Sequence, residues 1–223
     1  MGSLATVPPT LDAALLREWA SAATEALQRY CAEIDRINVF PVPDGDTGTN
    51  LLLTMRAAVD ASGPGHCAAN GAAGVGAAAG VGGPDGVEGA AGPVAAALAR
   101  GALRGARGNS GVILSQVLRG LADAIEAADG PCDGAVLADA LRRAHRLATA
   151  ALSHPREGTV LTVLRAAAAA AAARVATGEG CLAAVAASAS LRAAIALHET
   201  TAQLPELARA GAVSYTHLTL PTN

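Results

Sequence analysis

Apolar side chains recur every three or four residues along most of the chain, which is the pattern of amphipathic helices. The clearest stretch predicts a first helix over Leu11–Asp35, with Thr10 as its N-cap. The apolar face of this helix consists of Leu15, Leu16, Trp19, Ala23, Leu27, Tyr30 and Ile34. No window alternates apolar and polar positions as a half-buried strand does. The pattern therefore predicts an all-α protein.

The same periodicity predicts further helices, separated by short polar connections. They cover Leu51–Asp60, Pro93–Ala106, Val112–Ala128, a stretch capped by Asp133 that runs to about Ser153, Thr159–Ala176, Leu182–Glu199 and Leu204–Ala210. Short connections make consecutive helices antiparallel neighbours. We therefore predict a barrel or bundle of about eight antiparallel amphipathic helices.

Two segments depart from this pattern. Ser62–Gly92 is rich in Gly and Ala and poor in large apolar side chains, so we predict a flexible surface insertion there. Ser214–Asn223 abandons the Ala, Arg and Gly composition of the preceding chain, and we interpret it as foreign sequence appended at a truncation. The prediction is one domain over residues 1–213, with the insertion at 62–92 and a foreign tail at 214–223.

Composition narrows the classes of function. The net charge is −3 and the basic residues are scattered, which argues against a nucleic-acid-binding patch. The sequence contains no Lys, so bound phosphates would depend on metal ions, backbone N–H groups or Arg. We expect no membrane span, because apolar stretches are interrupted before the ~18 residues a span needs. We also expect a cytoplasmic protein without a signal peptide, with its four scattered cysteines as free thiols.

Candidate chemistry centres on Asp44-Gly45-Asp46, which follows the stiff segment from Asn38 to Pro43. Gly at positive φ lets two flanking carboxylates fold toward one point. Mg²⁺ commonly takes one or two carboxylates together with phosphate and water oxygens. Hydroxyl and amide groups follow at the start of the next helix, whose N-terminus favours anions. A plain Asp-Gly turn before a capped helix is the alternative interpretation of these residues.

Two later polar loops also open helices. Gly105–Gly111 contains small residues that let phosphate oxygens approach the backbone, and Ser110 offers a hydroxyl. Pro155–Thr159 places Thr159 as a cap and Glu157 near the positive helix end. Ordinary helix breaks explain each loop when it is taken alone. Together, the three loops predict a phosphate-binding pocket at one end of a bundle.

Three motifs occur in order: INVFPVPDGDTGTN, ARGALRGARGNSGVILSQVLRG and PREGTVLTVLRAA. They resemble the N-terminal domain of the kinase protein of bacterial fatty acid kinase, a member of the dihydroxyacetone-kinase L-subunit (DhaL-like) superfamily. The resemblance extends over roughly 11–213. It implies a helical barrel that binds Mg-ATP or Mg-ADP at one end.

The resemblance also implies roles for individual residues. Asp44 and Asp46 become the catalytic carboxylates that chelate two Mg²⁺ ions bridging to the phosphates. The dihydroxyacetone kinases carry a further Asp shortly before this loop, where the present chain leaves Asn38 as a candidate third ligand. The nucleotide-contacting positions implied are Thr47, Gly48, Asn50, Asn109, Ser110, Gly111 and Thr159.

The implied activity is transfer of the ATP γ-phosphoryl group to a fatty acid presented by a carrier protein, giving an acyl phosphate for phospholipid synthesis. In the family, domains beyond the present residues engage the carrier, and an Asp-Ala-Gly-Gly loop follows where residues 214–223 stand here. Two alternatives remain open: a small-molecule kinase of the dihydroxyacetone type and a catalytically silent ADP-binding module. A homodimer is a further possibility.

Overall fold

The computed structural model describes residues 10–38, 44–63 and 90–203, with side chains up to residue 200. Within these ranges all regular structure is helical, which confirms the all-α prediction. The helices, numbered here in chain order, are α1 (Ala13–Arg36), α2 (Thr47–Ala61), α3 (Ala91–Gly105), α4 (Gly108–Glu126), α5 (Gly134–Ala150), α6 (Val160–Ala176) and α7 (Leu182–Gln203). The predicted helix at 204–210, the tail at 214–223 and most of the predicted insertion lie outside the described residues.

Each helix packs against the next one in the chain, and where the connection is short the two helices are antiparallel. In α3, Gly101 lies against Ala57, Ala58 and Ala61, whereas Gly105 lies against Ala57 and the carbonyl of Leu53, so α2 and α3 run in opposite directions. The α1–α2, α3–α4 and α5–α6 connections consequently share one end of the bundle. The three polar loops singled out in the sequence are these connections, and each leads into the N-terminus of α2, α4 or α6.

The buried side chains form two clusters of different character. The first joins α1 to α4 and contains Leu16, Met55, Val94, Leu98 and Leu118, each of them at most 1% exposed. The second joins α5, α6 and α7 and consists of Val185 with alanines: Ala138, Ala167, Ala171 and Ala189. Small side chains let α5, α6 and α7 approach closely, but each buries little apolar area.

The helix starts correct several sequence-based boundaries. The N-cap of α1 is Asp12, whose Oδ1 accepts from the Leu15 N–H at 2.8 Å, and the expected Thr10 cap is wrong. Helix α2 begins at Thr47, four residues earlier than predicted, and α4 begins at Gly108, inside the expected break. Ala91 and Gly92, assigned to the insertion, already belong to α3. Trp19, expected on the apolar face of α1, is 44% exposed.

Helix α7 has an unusual composition. Leu182–Thr200 has a mean hydropathy of 1.2, and among the described helices it is the one long and apolar enough to cross a membrane; 22% of it is buried in the bundle. That length and composition are weak evidence, because an apolar helix of a bundle shares them. It also carries the ion pair of Arg192 with Glu199, whose N–O distance is 3.3 Å.

Candidate functional site

The acidic loop lies between α1 and α2, and the structure describes its second half. Gly45 adopts a φ of +66°, the left-handed conformation that the Asp-Gly-Asp sequence predicts. The side chains of Asp44 and Asp46 are both exposed. Asn38 donates from Nδ2 to Asp44 Oδ1 at 2.6 Å, which leaves its own Oδ1 as an acceptor beside that carboxylate. Residues 39–43, including the two prolines, lie outside the described residues.

The first turn of α2 is held by Asp35, a residue that the sequence reasoning treated only as the end of the first helix. Asp35 Oδ1 accepts from the backbone N–H of Gly48 at 2.6 Å and of Thr49 at 3.1 Å. Its Oδ2 accepts from Thr49 Oγ1 at 2.8 Å. Burial alone would raise the pKa of Asp35, but the hydrogen bonds from Thr49 and Gly48 outweigh it and lower the pKa below its ordinary value. The amides of Gly48 and Thr49 are therefore already satisfied by a side chain.

Gly48 permits the close approach between α1 and α2. A Cβ at this position would overlap the backbone carbonyl of Cys31 and come within 3.0 Å of Asp35 Oδ1. The Cys31 thiol lies 3.6 Å from Thr49 Oγ1 on the same junction. Any side chain at residue 48 would push α2 away from α1, so the role of Gly48 follows from packing.

The start of α4 lies directly against the first turns of α2. Gly108 adopts a φ of +56°, and a Cβ there would lie 2.5 Å from Nδ2 of the buried Asn50. The hydroxyl of Thr54 donates to the Asn50 carbonyl at 2.7 Å and accepts from the Arg107 N–H at 3.3 Å. The structure therefore brings together two of the three loops predicted to form the site.

The N-terminus of α4 differs from that of α2 in how it is capped. Its N-cap residue is Arg107, and no side chain caps this turn in the described part of the chain. Asn109 is exposed and Ser110 is half-buried at this turn, whereas Gly111 is buried against Thr54 Oγ1. Backbone N–H groups at an uncapped helix start attract anions. Among the helix starts at this end of the bundle, α4 is the one best suited to a phosphate.

The third loop precedes α6 and is held by its own hydrogen bonds. Thr159 Oγ1 accepts from the Leu161 N–H at 3.3 Å and donates to the Arg156 carbonyl at 2.7 Å, so its hydroxyl acts as a cap. Glu157 Oε2 accepts from Thr162 Oγ1 at 2.7 Å and from Arg165 at 2.8 Å. The Thr162 hydrogen bond and the Arg165 charge lower the pKa of Glu157. The order of helices places this loop at the same end as the other two, but its hydrogen bonds are local.

A groove of about 350 Å³ runs between α6 and α7. Alanines make up half of its lining residues, which also include Arg165 and Arg192. Both arginines are engaged by carboxylates, Arg165 by Glu157 and Arg192 by Glu199. The acidic loop and the start of α4 therefore remain the candidate site.

The donor set of the acidic loop fits magnesium rather than zinc. The described residues contain no group of three His, Cys, Asp or Glu side chains that could hold a metal ion by themselves. Mg²⁺ needs no such cage, since it commonly uses one or two carboxylates and completes its octahedron with phosphate and water oxygens. The exposed carboxylates of Asp44 and Asp46, with the amide oxygen of Asn38 beside them, meet that requirement.

Comparison with known proteins identifies the family of this chain. The family model of the DAK2 domain matches residues 65–221, which include the second and third loops and follow the acidic loop. The chain belongs to the DAK2 domain family. DhaL-like domains of this family are associated with kinases and bind ADP or ATP.

The curated relatives are longer than the present chain. Protein YloV of Bacillus subtilis is 38% identical over 156 residues, which are 70% of this chain and 24% of the relative. An uncharacterized protein of Staphylococcus saprophyticus is 32% identical over 203 residues, 91% of this chain and 33% of the relative. An uncharacterized protein of Staphylococcus aureus is 37% identical over 149 residues, 67% of this chain and 23% of the relative. The chain thus spans a quarter to a third of the length of these relatives.

Proposed function

We propose that this chain is the Mg-ATP-binding kinase domain of a fatty acid kinase. The acceptor is the carboxylate of a fatty acid presented by a carrier protein, and the product is an acyl phosphate. The observation that carries the nucleotide part of the proposal is the contact between α2 and α4. It sets an exposed pair of carboxylates beside a glycine-containing helix start that no side chain of the described residues caps.

The proposed reaction needs positioning and charge neutralisation more than it needs a base. A carboxylate oxygen of the fatty acid bonds to the γ-phosphorus, the bond from that phosphorus to the β–γ bridging oxygen breaks, and ADP leaves. A fatty acid carboxylate is already ionised at neutral pH, so no proton has to be removed. Asp44 and Asp46 would hold Mg²⁺, which neutralises charge on the phosphates when bound.

The phosphates themselves would lie against the first turn of α4. Residues Asn109–Gly111 supply backbone N–H groups, and Ser110 supplies a hydroxyl. The absence of Lys from the sequence agrees with a site in which metal and backbone replace a phosphate-binding lysine. Thr159 already caps α6, which supports a structural role for it beside the site.

Calorimetry with a non-hydrolysable ATP analogue tests the nucleotide part. Wild type should bind the analogue with Mg²⁺ and bind it more weakly with EDTA. Asp46→Ala should lose at least about tenfold in affinity in Mg²⁺, the scale on which metal-site partners act. Asp129→Ala, an exposed carboxylate in the α4–α5 connection at the opposite end of the bundle, is the matched control and should bind as wild type. Equal affinity with and without Mg²⁺ would contradict the proposal.

The acceptor is best tested in a full-length relative such as Protein YloV, because the present chain covers only part of such proteins. ADP release should depend on acyl-loaded carrier protein. Release that depends instead on dihydroxyacetone would identify a small-molecule kinase. Nucleotide binding with no turnover of either acceptor would identify an ADP-binding module.

A further inference from the structure

The N-cap of α2 is occupied in an unusual way. Asp46 is the N-cap residue, so Gly48 and Thr49 are the second and third residues of the helix. An Asp at an N-cap normally folds its carboxylate back to accept from the N–H of one of those two residues. Asp12 at the start of α1 and Asp133 at the start of α5 both do so. Asp46 makes no side-chain capping hydrogen bond.

Asp46 does not cap α2 because Asp35, which lies on α1, accepts from both of the amides that an N-cap side chain would bind. One of its oxygens accepts from the Gly48 and Thr49 amides, and the other accepts from the Thr49 hydroxyl. Thirteen residues separate Asp35 from Gly48. Asp35 is half-buried at the junction, whereas Asp46 is exposed.

This exchange of roles matters for a metal ligand. A carboxylate that caps its own helix is directed back toward the backbone, and the helix N-terminus already neutralises part of its charge. Asp35 supplies the cap, so the oxygens of Asp46 are not directed to the backbone and stay available for another partner. Asp44 is held differently, since Asn38 donates to its Oδ1 at 2.6 Å.

We propose that Asp35 is a positioning residue: it caps α2 in place of Asp46 and thereby leaves the Asp46 carboxylate free to bind a divalent cation. The identity of that cation as the Mg²⁺ of a nucleotide site rests on the proposed function. The claim that Asp35 caps α2 in place of Asp46 does not rest on the proposed function, and a measurement without metal can test it.

The metal-free test is a double-mutant cycle on thermal unfolding in EDTA, with Asp35→Ala, Asp46→Ala and the double variant. In the wild-type background, Asp46→Ala should move Tm by no more than about 1 °C, since no cap is lost. With Asp35 removed, Asp46 takes over the cap, and its loss should then lower Tm by a further ~2–4 °C. The same Tm change for Asp46→Ala in both backgrounds would overturn the proposal.

An amide measurement on Asp46→Ala alone keeps the proposal testable even where Asp35→Ala does not fold. The Gly48 and Thr49 amide protons should keep their wild-type chemical shifts and exchange protection in this variant. Loss of protection at both amides would show that Asp46 is the cap and that the proposal is wrong.

The metal test uses Mn²⁺ as a paramagnetic probe in the presence of ADP. Asp35→Ala should bind Mn²⁺ about tenfold more weakly than wild type, which is the lower end of the loss seen for residues that orient metal ligands. Asp35→Asn keeps an oxygen for the two amides and should remain within about threefold of wild type, since Asn caps helices as well as Asp. Asp12→Ala, which removes a helix cap at the opposite end of α1, should leave Mn²⁺ affinity unchanged.

The outcomes separate the two proposals. Unchanged Mn²⁺ affinity in Asp35→Ala, with wild type binding normally, contradicts the positioning role and leaves the proposed function standing. Absence of Mn²⁺ binding in wild type contradicts the proposed function and the metal half of the inference together. The melting cycle then decides whether Asp35 replaces Asp46 as the cap.

Discussion

The two halves of the bundle are built differently. Helices α1–α4 meet around Leu, Met and Val side chains and are joined at the site by side-chain hydrogen bonds between elements, such as Asp35 with Gly48 and Thr54 with Arg107. The buried cluster of helices α5–α7 consists of alanines and Val185, with Leu137, Leu141 and Val175 partly buried against it. Their ion pairs, such as Arg143 with Asp139, lie mostly within one helix.

This difference indicates where the candidate chemistry gets its rigidity. The acidic loop and the start of α4 both belong to the half with the larger buried side chains. The third loop belongs to the alanine-packed half and depends on local caps. A site that must hold carboxylates and phosphates in fixed positions is better supported by tertiary contacts than by local ones.

The largest expected effects come from truncating the buried side chain of one residue to alanine in each core. Leu98 and Val185 are both 0% exposed, one in each half. Leu98→Ala should lower the free energy of unfolding by about 2–5 kcal/mol. Val185→Ala removes two methyl groups and should lower it by about 2 kcal/mol. Urea unfolding measures both, and a larger loss for Val185→Ala would reverse the comparison between the halves.

Replacing one glycine by alanine in each half should lower the free energy of unfolding by a smaller amount, and again more in the α1–α4 half. A Cβ on Gly101 would meet the backbone of α2 at Ala57 and Ala58, so Gly101→Ala should destabilise by about 1–3 kcal/mol. Gly178, after α6, has a φ of +82° and open space around it. Gly178→Ala should cost about 1–2 kcal/mol through backbone strain alone.

A second measurement separates these two glycine variants. Gly101→Ala displaces α2, which carries the first turn of the site, so nucleotide affinity should fall with stability. Gly178→Ala should leave nucleotide affinity at the wild-type value. Equal nucleotide affinities in the two variants would show that the packing of α2 on α3 does not support the site.

The elements predicted correctly are those whose signals are local in sequence. Asp133 and Thr159 were predicted as caps and act as caps, because a cap and its amides lie within three residues. The positive φ of Gly45 follows in the same way from the Asp-Gly-Asp sequence. At the start of α1, Thr10 was expected as the cap, but the cap is Asp12.

The features that sequence reasoning missed depend on tertiary contacts. Asp35 belongs to the periodic pattern of α1, and nothing near it indicates a partner thirteen residues away. The expectation that the α2 N-terminus would attract phosphates did not anticipate that Asp35 satisfies its amides. Trp19 lies on the predicted apolar face yet is half exposed, because periodicity gives the direction of a side chain and not the depth of its burial.

The smallest effects concern two carboxylates whose pKa values are lowered, one in each half. The pKa of Asp35 lies below its ordinary value of 3.8, and the pKa of Glu157 lies below its ordinary value of 4.5. Since each folded-state pKa is lower than the unfolded one, each carboxylate stabilises the fold fully above its ordinary value. That contribution is lost as the pH falls through the folded-state pKa. Asp35→Asn and Glu157→Gln should therefore differ from wild type at pH 7 and converge with it in acid.

Salt should separate these two carboxylates. The Glu157 and Arg165 side chains are 72% and 56% exposed, so their pair is screened and contributes no more than about 0.5 kcal/mol. Asp35 accepts from neutral amides and a hydroxyl across the α1–α2 junction, and losing its charge should cost about 1 kcal/mol. In 0.5 M NaCl, at an ionic strength that shortens the Debye length to about 4 Å, the difference between Glu157→Gln and wild type should shrink, because its Arg165 part is screened and only the Thr162 hydrogen bond remains, whereas the difference between Asp35→Asn and wild type should persist. If salt abolished both differences, the α1–α2 junction would depend on screened charge, and the contrast between local and tertiary support of the site would fail.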